Sequence, residues 1–164
     1  VLDPVHLRDH IIKPVLVYLE PEIPYSRSAE HLLIGTAVQE SRLTYLHQGG
    51  NGPAVGLWQM EPATHDDIWH NYIAYQPGTL ESKIVDIKTN IEPFLSSSDQ
   101  MAGNLYYACA MARLLYRRVK APLPQPGDPY AMGSYWKQYY NTPQGKGTVA
   151  QFVSNWNKVA EVFV

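Results

Sequence analysis

Apolar positions recur at three- and four-residue steps through most of this chain, in blocks separated by runs of proline, glycine and serine. Asp3 and Pro4 read as the N-cap and first residue of a helix over residues 5–19. Pro14 is expected to kink or divide it, because its ring blocks the regular i to i−4 bond. Pro21 and Pro24 then supply a linker. Ser26 or Ser28 caps a second helix reaching about residue 43, in which Leu32, Leu33, Ile34, Ala37 and Val38 leave a nearly all-round apolar surface. Gly35 inside it costs about 1 kcal/mol of helix propensity, so close approach by a neighbouring element is expected there.

Gln48-Gly49-Gly50-Asn51-Gly52-Pro53 is too rich in glycine for regular structure, and residues 54–60 fit a short strand or an extended loop. Thr64, with Asp67 as its N3 partner, opens a short helix through Ile68, Trp69 and Tyr72. Thr79 caps another, through Ile84 and Ile87 to about residue 91. The Ser96 to Asp99 stretch precedes the longest helical pattern, about residues 100–120, with Leu105, Ala108, Ala112, Leu115 and Val119 on one stripe. Pro122, Pro124, Pro126 and Pro129 make a stiff connector, at whose end Asp128 caps a helix carrying Tyr130, Trp136 and Tyr140. Thr148 and Gln151 form a capping box ahead of Phe152, Trp156, Val159 and Phe163. The pattern predicts a mainly α single domain over residues 1–164, with an N-terminal helix and linker (1–25), a C-terminal helical extension (121–164) and at most a small extended or β region.

Length and composition agree with one folded core: 164 residues, 45% hydrophobic and 17% charged, with a formal net charge of −2. That balance gives no polybasic surface, so no nucleic-acid partner is expected. No apolar run approaches the roughly 20 residues needed to cross a bilayer, so no membrane insertion is expected. Val1-Leu2-Asp3-Pro4 does not read as a signal peptide, and the absent initiator Met fits a trimmed chain or a segment of a longer one. Cys109, the single cysteine, lies in the apolar run Tyr106 to Ala112 and reads as a buried thiol.

The chemistry concentrates around Glu40. It sits in Ala37-Val38-Gln39-Glu40-Ser41-Arg42-Leu43, the end of an apolar helix, and is followed by Gly56-Leu57-Trp58-Gln59-Met60-Glu61-Pro62-Ala63-Thr64. A carboxyl in an apolar setting at a helix C-terminus is pushed toward its protonated form by burial and by the dipole. That is what protonating a glycosidic oxygen near neutral pH demands. The plainer alternative is a helix-end glutamate in an ion pair with Arg42 or a distant lysine. Gln59 can hydrogen-bond an acetamido or hydroxyl group, while Trp58 and Met60 offer apolar contact. Ser41 could orient Glu40 or a sugar hydroxyl, or cap the helix end.

Candidate second acids are Glu61 and Asp67, with Asp66 nearby. The twelve tyrosines and four tryptophans suit the flat apolar faces of sugars. His65-Asp66-Asp67 with His70 lacks metal-site spacing, so no metal is expected. The stretch around Ser41 lacks the G-x-S-x-G turn of a serine hydrolase. Arg113, Arg117, Arg118 and Lys120 could hold an anionic polymer, or serve as cations in the last turns of a helix.

Glu40-Ser41 behind an apolar helix, together with Gly56-Leu57-Trp58-Gln59-Met60 followed by Pro62 and Thr64, resembles the soluble lytic transglycosylase-like branch of the lysozyme-like superfamily, which includes bacteriophage domains. The resemblance covers chiefly residues 30–70. It implies a lysozyme-like fold with a catalytic helix and a glycan cleft, Glu40 as catalytic acid, and Gln59 and Met60 lining the cleft. Trp58 stands where the family usually has Met, and the family's Y-N-A-G segment is not recognisable. A tyrosine near that segment often assists the acid; Tyr106, Tyr107, Tyr139 and Tyr140 are the candidates, Tyr107 and Tyr140 foremost as cleft aromatics. Residues 135–142 fit a cleft wall or an attachment surface.

The implied reaction cleaves the β-1,4 bond between N-acetylmuramic acid and N-acetylglucosamine of peptidoglycan. It yields a 1,6-anhydro product and uses no cofactor. The alternatives are a water-using muramidase with a second carboxylate, and a non-catalytic glycan-binding or structural virion domain. The partner implied is a peptidoglycan strand, within a larger virion or cell-wall assembly. The location implied is the bacterial periplasm and cell wall, or a phage virion acting there.

Overall fold

The computed structural model describes residues 1–88, 94–142 and 144–163. Its regular structure is helical, and no β-sheet forms among these residues: the β pairings are isolated bridges, His47 with Val55 and Val55 with Met60. The helices are α1 (Pro4–Leu7), α2 (Lys13–Tyr18), α3 (Arg27–Ser41), α4 (Pro62–Asn71), α5 (Gly78–Ile87), α6 (Leu105–Arg117), α7 (Pro129–Trp136) and α8 (Val149–Asn157).

Asp3 caps α1 by accepting from the backbone N–H groups of Val5 and His6. A π-helical turn, Arg8–Ile12, joins α1 to α2, and Pro14 lies in the first turn of α2. The expected division at Pro14 therefore takes the form of a widened turn just upstream of the ring, which relieves its clash without breaking the helix.

Helix α3 is the centre of the molecule. Ser26, not Ser28, caps it, its hydroxyl accepting from Ala29 N–H at 3.0 Å. Residues from Ala29 to Val38 are all buried, because α6, α7, α8 and the π turn each pack against it. A Cβ on Gly35 would lie 2.6 Å from Phe152 Cζ, so the glycine admits α8 at close range, as its position in the helix predicts. The helix stops at Ser41, earlier than expected, with Arg42 and Leu43 at φ 52° and 55° reversing the chain.

Three helix starts differ from expectation. α4 begins at Pro62, preceded by Glu61, so Thr64 is inside the first turn and Asp67 has other partners. α5 begins at Gly78 after Pro77, leaving Thr79 within it; it ends at Ile87, and residues 89–91 of the expected helix lie outside the described residues. In the longest segment a 3-10 turn, Asp99–Met101, comes first, and α6 starts only after Asn104, whose side chain accepts from Tyr107 N–H. Asp128 caps α7 and the Thr148–Gln151 capping box opens α8, both as the sequence predicts.

One continuous hydrophobic core runs from Leu7 through Leu33, Trp58 and Met111 to Trp136 and Phe152. The C-terminal segment expected as an extension therefore contributes to the same core. Cys109 is fully buried, and burial pushes its thiol well up. No helix among the described residues is long and apolar enough to cross a membrane.

Candidate functional site

Glu40 occupies the last turn of α3 and opens onto a groove of about 660 Å³. Burial pushes its carboxyl up to about 7, opposed by a hydrogen bond in which Trp136 Nε1–H donates to Oε1 at 2.8 Å. No ion pair to Glu40 forms among the described residues, and Arg42 is exposed, so the helix-end ion pair expected as the plainer alternative does not occur. Lacking a cation, the carboxyl is held protonated to well above the ordinary carboxylate range.

The loop before α4 supplies one part of the groove. Gly56, at φ 84°, has the Met101 carbonyl so close that a Cβ would lie 2.4 Å from its oxygen. The turn is closed by Gln59 N–H donating to Gly56 O and by paired bonds between Val55 and Met60. This geometry puts Gln59 at φ 46°, with its side-chain Nε2 also donating to Gly56 O at 2.9 Å. One N–H of the amide is thus committed to the loop, and the amide oxygen is the part of Gln59 that can receive a donor from a bound molecule. Gln59, Met60 and Glu61 all line the groove, and Thr64 joins them from the first turn of α4.

Another part comes from the C-terminal segment. After α7 the chain widens into a π-helical turn, Lys137–Asn141, which brings Tyr140 into the groove. Tyr140 O–H donates to Trp58 O at 2.5 Å, and burial first, then the neighbouring Glu40, holds its phenol well above its ordinary range. Lys137 Nζ donates to Asn141 Oδ1 at 2.8 Å and Gly145 O at 2.7 Å, fastening the segment that carries Gln144, Lys146 and Gly147 along the groove.

Other sequence candidates lie elsewhere. Ser41 is fully buried with its hydroxyl donating to Ala37 O, so it neither orients Glu40 nor reaches the groove. Trp58 is core: its ring is 1% exposed and Nε1–H donates to Leu33 O at 3.0 Å, pinning the loop to α3 instead of offering a sugar platform. Asp67 bonds Asn71 and pairs with Arg118 away from the groove lining, whereas Glu61 is exposed within it. Tyr107 is buried among His65, with which it shares a 2.6 Å hydrogen bond, and Trp69, not in the groove.

The basic cluster Arg113, Arg117, Arg118 and Lys120, at and beyond the end of α6, does not act together. Arg113 is buried with Nε and Nη1 unpartnered, Arg118 pairs with Asp67, and none of the four cations lines the groove. Among the described residues no three metal-ligating side chains converge.

Gln144, Gly145, Lys146 and Gly147 border the groove without having been singled out in the sequence, and Trp136, which touches Glu40, lies in the 135–142 block read as a cleft wall or attachment surface. The aromatic and polar composition of residues 135–142 was the available signal, and it marked a wall without marking which ring would reach the acid. Compared with protein-family models, curated proteins and solved structures, the chain matches none.

Proposed function

We propose that this protein is a peptidoglycan-cleaving lytic transglycosylase of lysozyme-like fold, with Glu40 as general acid and then base. The observation that carries the reading is a groove-lining carboxyl, raised to about 7 by burial and hydrogen-bonded, among the described residues, to a neutral donor alone. Such an acid is protonated in useful amount near neutral pH, and its conjugate base is strong enough to take a proton back. Glu40 protonates the bridging oxygen as the C1–O bond of the muramoyl residue breaks. The resulting carboxylate removes the proton of the C6 hydroxyl as that oxygen bonds C1, which closes the 1,6-anhydro ring and restores the acid. The N-acetyl group of the same sugar stabilises the cationic intermediate, so one protein carboxylate suffices.

Gln59 Oε1 can accept from an acetamido N–H, and Met60 and Tyr140 supply apolar surface for sugar rings. The implied site of action is the bacterial cell wall, reached from the periplasm or from a phage particle.

Glu61 in the same groove favours a second reading, a hydrolytic muramidase in which that carboxylate activates water. Mass spectrometry of digested sacculi separates the two, since the anhydro product is lighter by one water. The expected result is anhydro muropeptides from the wild type, with Glu40→Gln slowing release at least about 100-fold while fold and glycan binding persist. Substantial turnover by Glu40→Gln rejects this acid. Hydrated products select the muramidase, and intact sacculi with measurable glycan binding select a non-catalytic glycan-binding or virion structural domain.

A further inference from the structure

Resting on Glu40 as the acid, we propose that Trp136 is a positioning residue that reserves Oε1 of Glu40 as an acceptor and confines the transferable proton to Oε2. An indole N–H donates and cannot accept. With Nε1 2.8 Å from Oε1, a proton on Oε1 would face the indole hydrogen head-on, so the neutral carboxyl carries its proton on the other oxygen. The same oxygen then delivers and retrieves the proton, and the acid needs no rotation between the two halves of the reaction.

The ring cannot swing aside. Trp136 is fully buried, it packs on Phe152 at a centroid distance of 5.5 Å, and a Cβ on Gly147 would lie 2.5 Å from its Cη2. The backbone that follows it enters the π turn that carries Tyr140, so the donor and the groove wall belong to one piece of chain.

Among the described residues no other side chain is hydrogen-bonded to the Glu40 carboxyl. Two phenols face Glu40 electrostatically, Tyr116 from α6 and Tyr140 from the π turn. Thr36 donates its hydroxyl proton to Leu32 O, so at its 2.7 Å contact with Tyr116 it is the phenol that donates. Tyr140 donates to Trp58 O. Both phenolic protons are therefore committed away from the carboxylate. The charged groups sharing the groove are Glu61, ahead of α4, and Lys146, in the segment after the π turn, and neither is hydrogen-bonded to Glu40.

The test is a direct titration of Glu40 by carbon-13 NMR of glutamate carboxyls, assigned with Glu40→Gln, in the wild type, in Trp136→Phe and in Trp136→3-benzothienylalanine. The last keeps the shape of the ring and replaces the N–H with sulfur, so it decides the matter where the phenylalanine variant loses its fold. Losing a donor to the ionised form is expected to raise the Glu40 midpoint by about one pH unit. The alkaline limb of kcat/KM moves up with it. A midpoint that stays put or falls in a folded variant overturns the proposal, whatever the activity. A wild type that leaves sacculi intact overturns instead the catalytic reading, and the titration still decides the hydrogen bond.

Discussion

Two glutamates sit at opposite ends of α3, Glu30 in its first turn and Glu40 in its last, about 15 Å apart along one helix. Both are withdrawn from water, yet their surroundings are opposite in kind. Glu30 accepts from Tyr25 O–H and shares its surroundings with Arg8, Lys13 and Arg27. Cations and a phenol surround it on several sides; the hydrogen bond to Asp9 first, and Glu30 to a smaller extent, raise the neighbouring Arg8 guanidinium, and burial followed by Glu30 pushes the Tyr25 phenol up to about 12. Glu40 meets an indole, phenols bonded elsewhere and, among the described residues, no ion-paired cation. The helix dipole adds to the contrast, favouring a carboxylate at the N-terminal end and opposing one at the C-terminal end. A carboxyl buried without a counter-charge, as Glu40 is, is pushed toward its protonated form.

The largest separation expected between the two is catalytic. Glu40→Gln lowers muropeptide release at least about 100-fold. Glu30→Gln, which removes the same charge from the other end, leaves kcat/KM within about two-fold, the span allowed by small shifts in packing. Comparable losses in both variants would mean that neither carboxyl is special and would break the contrast at its root.

Stability should separate them with opposite signs. In the folded protein Glu40 binds its proton up to about pH 7, against 4.5 for an ordinary glutamate, so the native state holds more protons across that window and the wild type loses stability as pH rises through it. Glutamine has no such dependence and can still accept from the Trp136 N–H. Glu40→Gln is accordingly expected to gain as much as about 3 kcal/mol over the wild type at pH 8, and nothing at pH 4. Glu30→Gln at pH 7 should lose about 1–2 kcal/mol, because a charged hydrogen-bond acceptor among cations is replaced by a neutral one. Urea unfolding of both variants at pH 4, 7 and 8 measures the signs, and a pH-independent effect of Glu40→Gln would show that its carboxyl titrates normally.

How much of this was visible in the sequence follows from the range of each interaction. Asp3, Asp128 and the Thr148–Gln151 box act within a few residues, and all three cap the predicted helices. Gly35 announced a close neighbour through its cost in a helix, although the identity of Phe152 could not be read from it. Thr64 failed as a cap because Pro62, compatible with a first helical turn, already starts α4. The burial of a carboxyl at the end of α3 was legible because an apolar helix ending in a glutamate is a local pattern. Trp58 was misplaced because one tryptophan beside a polar loop suits a core anchor as well as a sugar platform, and only its bond to Leu33 O, across 25 residues, decides. The contact of Trp136 with Glu40 was invisible for the same reason, since 96 residues separate the two.

The smallest expected effect probes why the Glu40 end stays dry. Lys137 fastens Asn141 and Gly145, and with them the segment that borders the groove beside Glu40. Lys137→Met keeps the aliphatic stem against the protein and removes both hydrogen bonds, so the segment loosens while the core around Trp136 remains. Water then reaches the acid more often, desolvation weakens, and the Glu40 midpoint falls by about half a pH unit. This is opposite in direction to the rise expected on losing the Trp136 donor. The alkaline limb of kcat/KM should move down with it, and KM should rise two- to three-fold as the groove wall becomes less ordered. If instead the limb holds its place while KM rises, the segment shapes substrate binding alone, and the dryness of the α3 terminus is due to Trp136, Tyr116 and Tyr140.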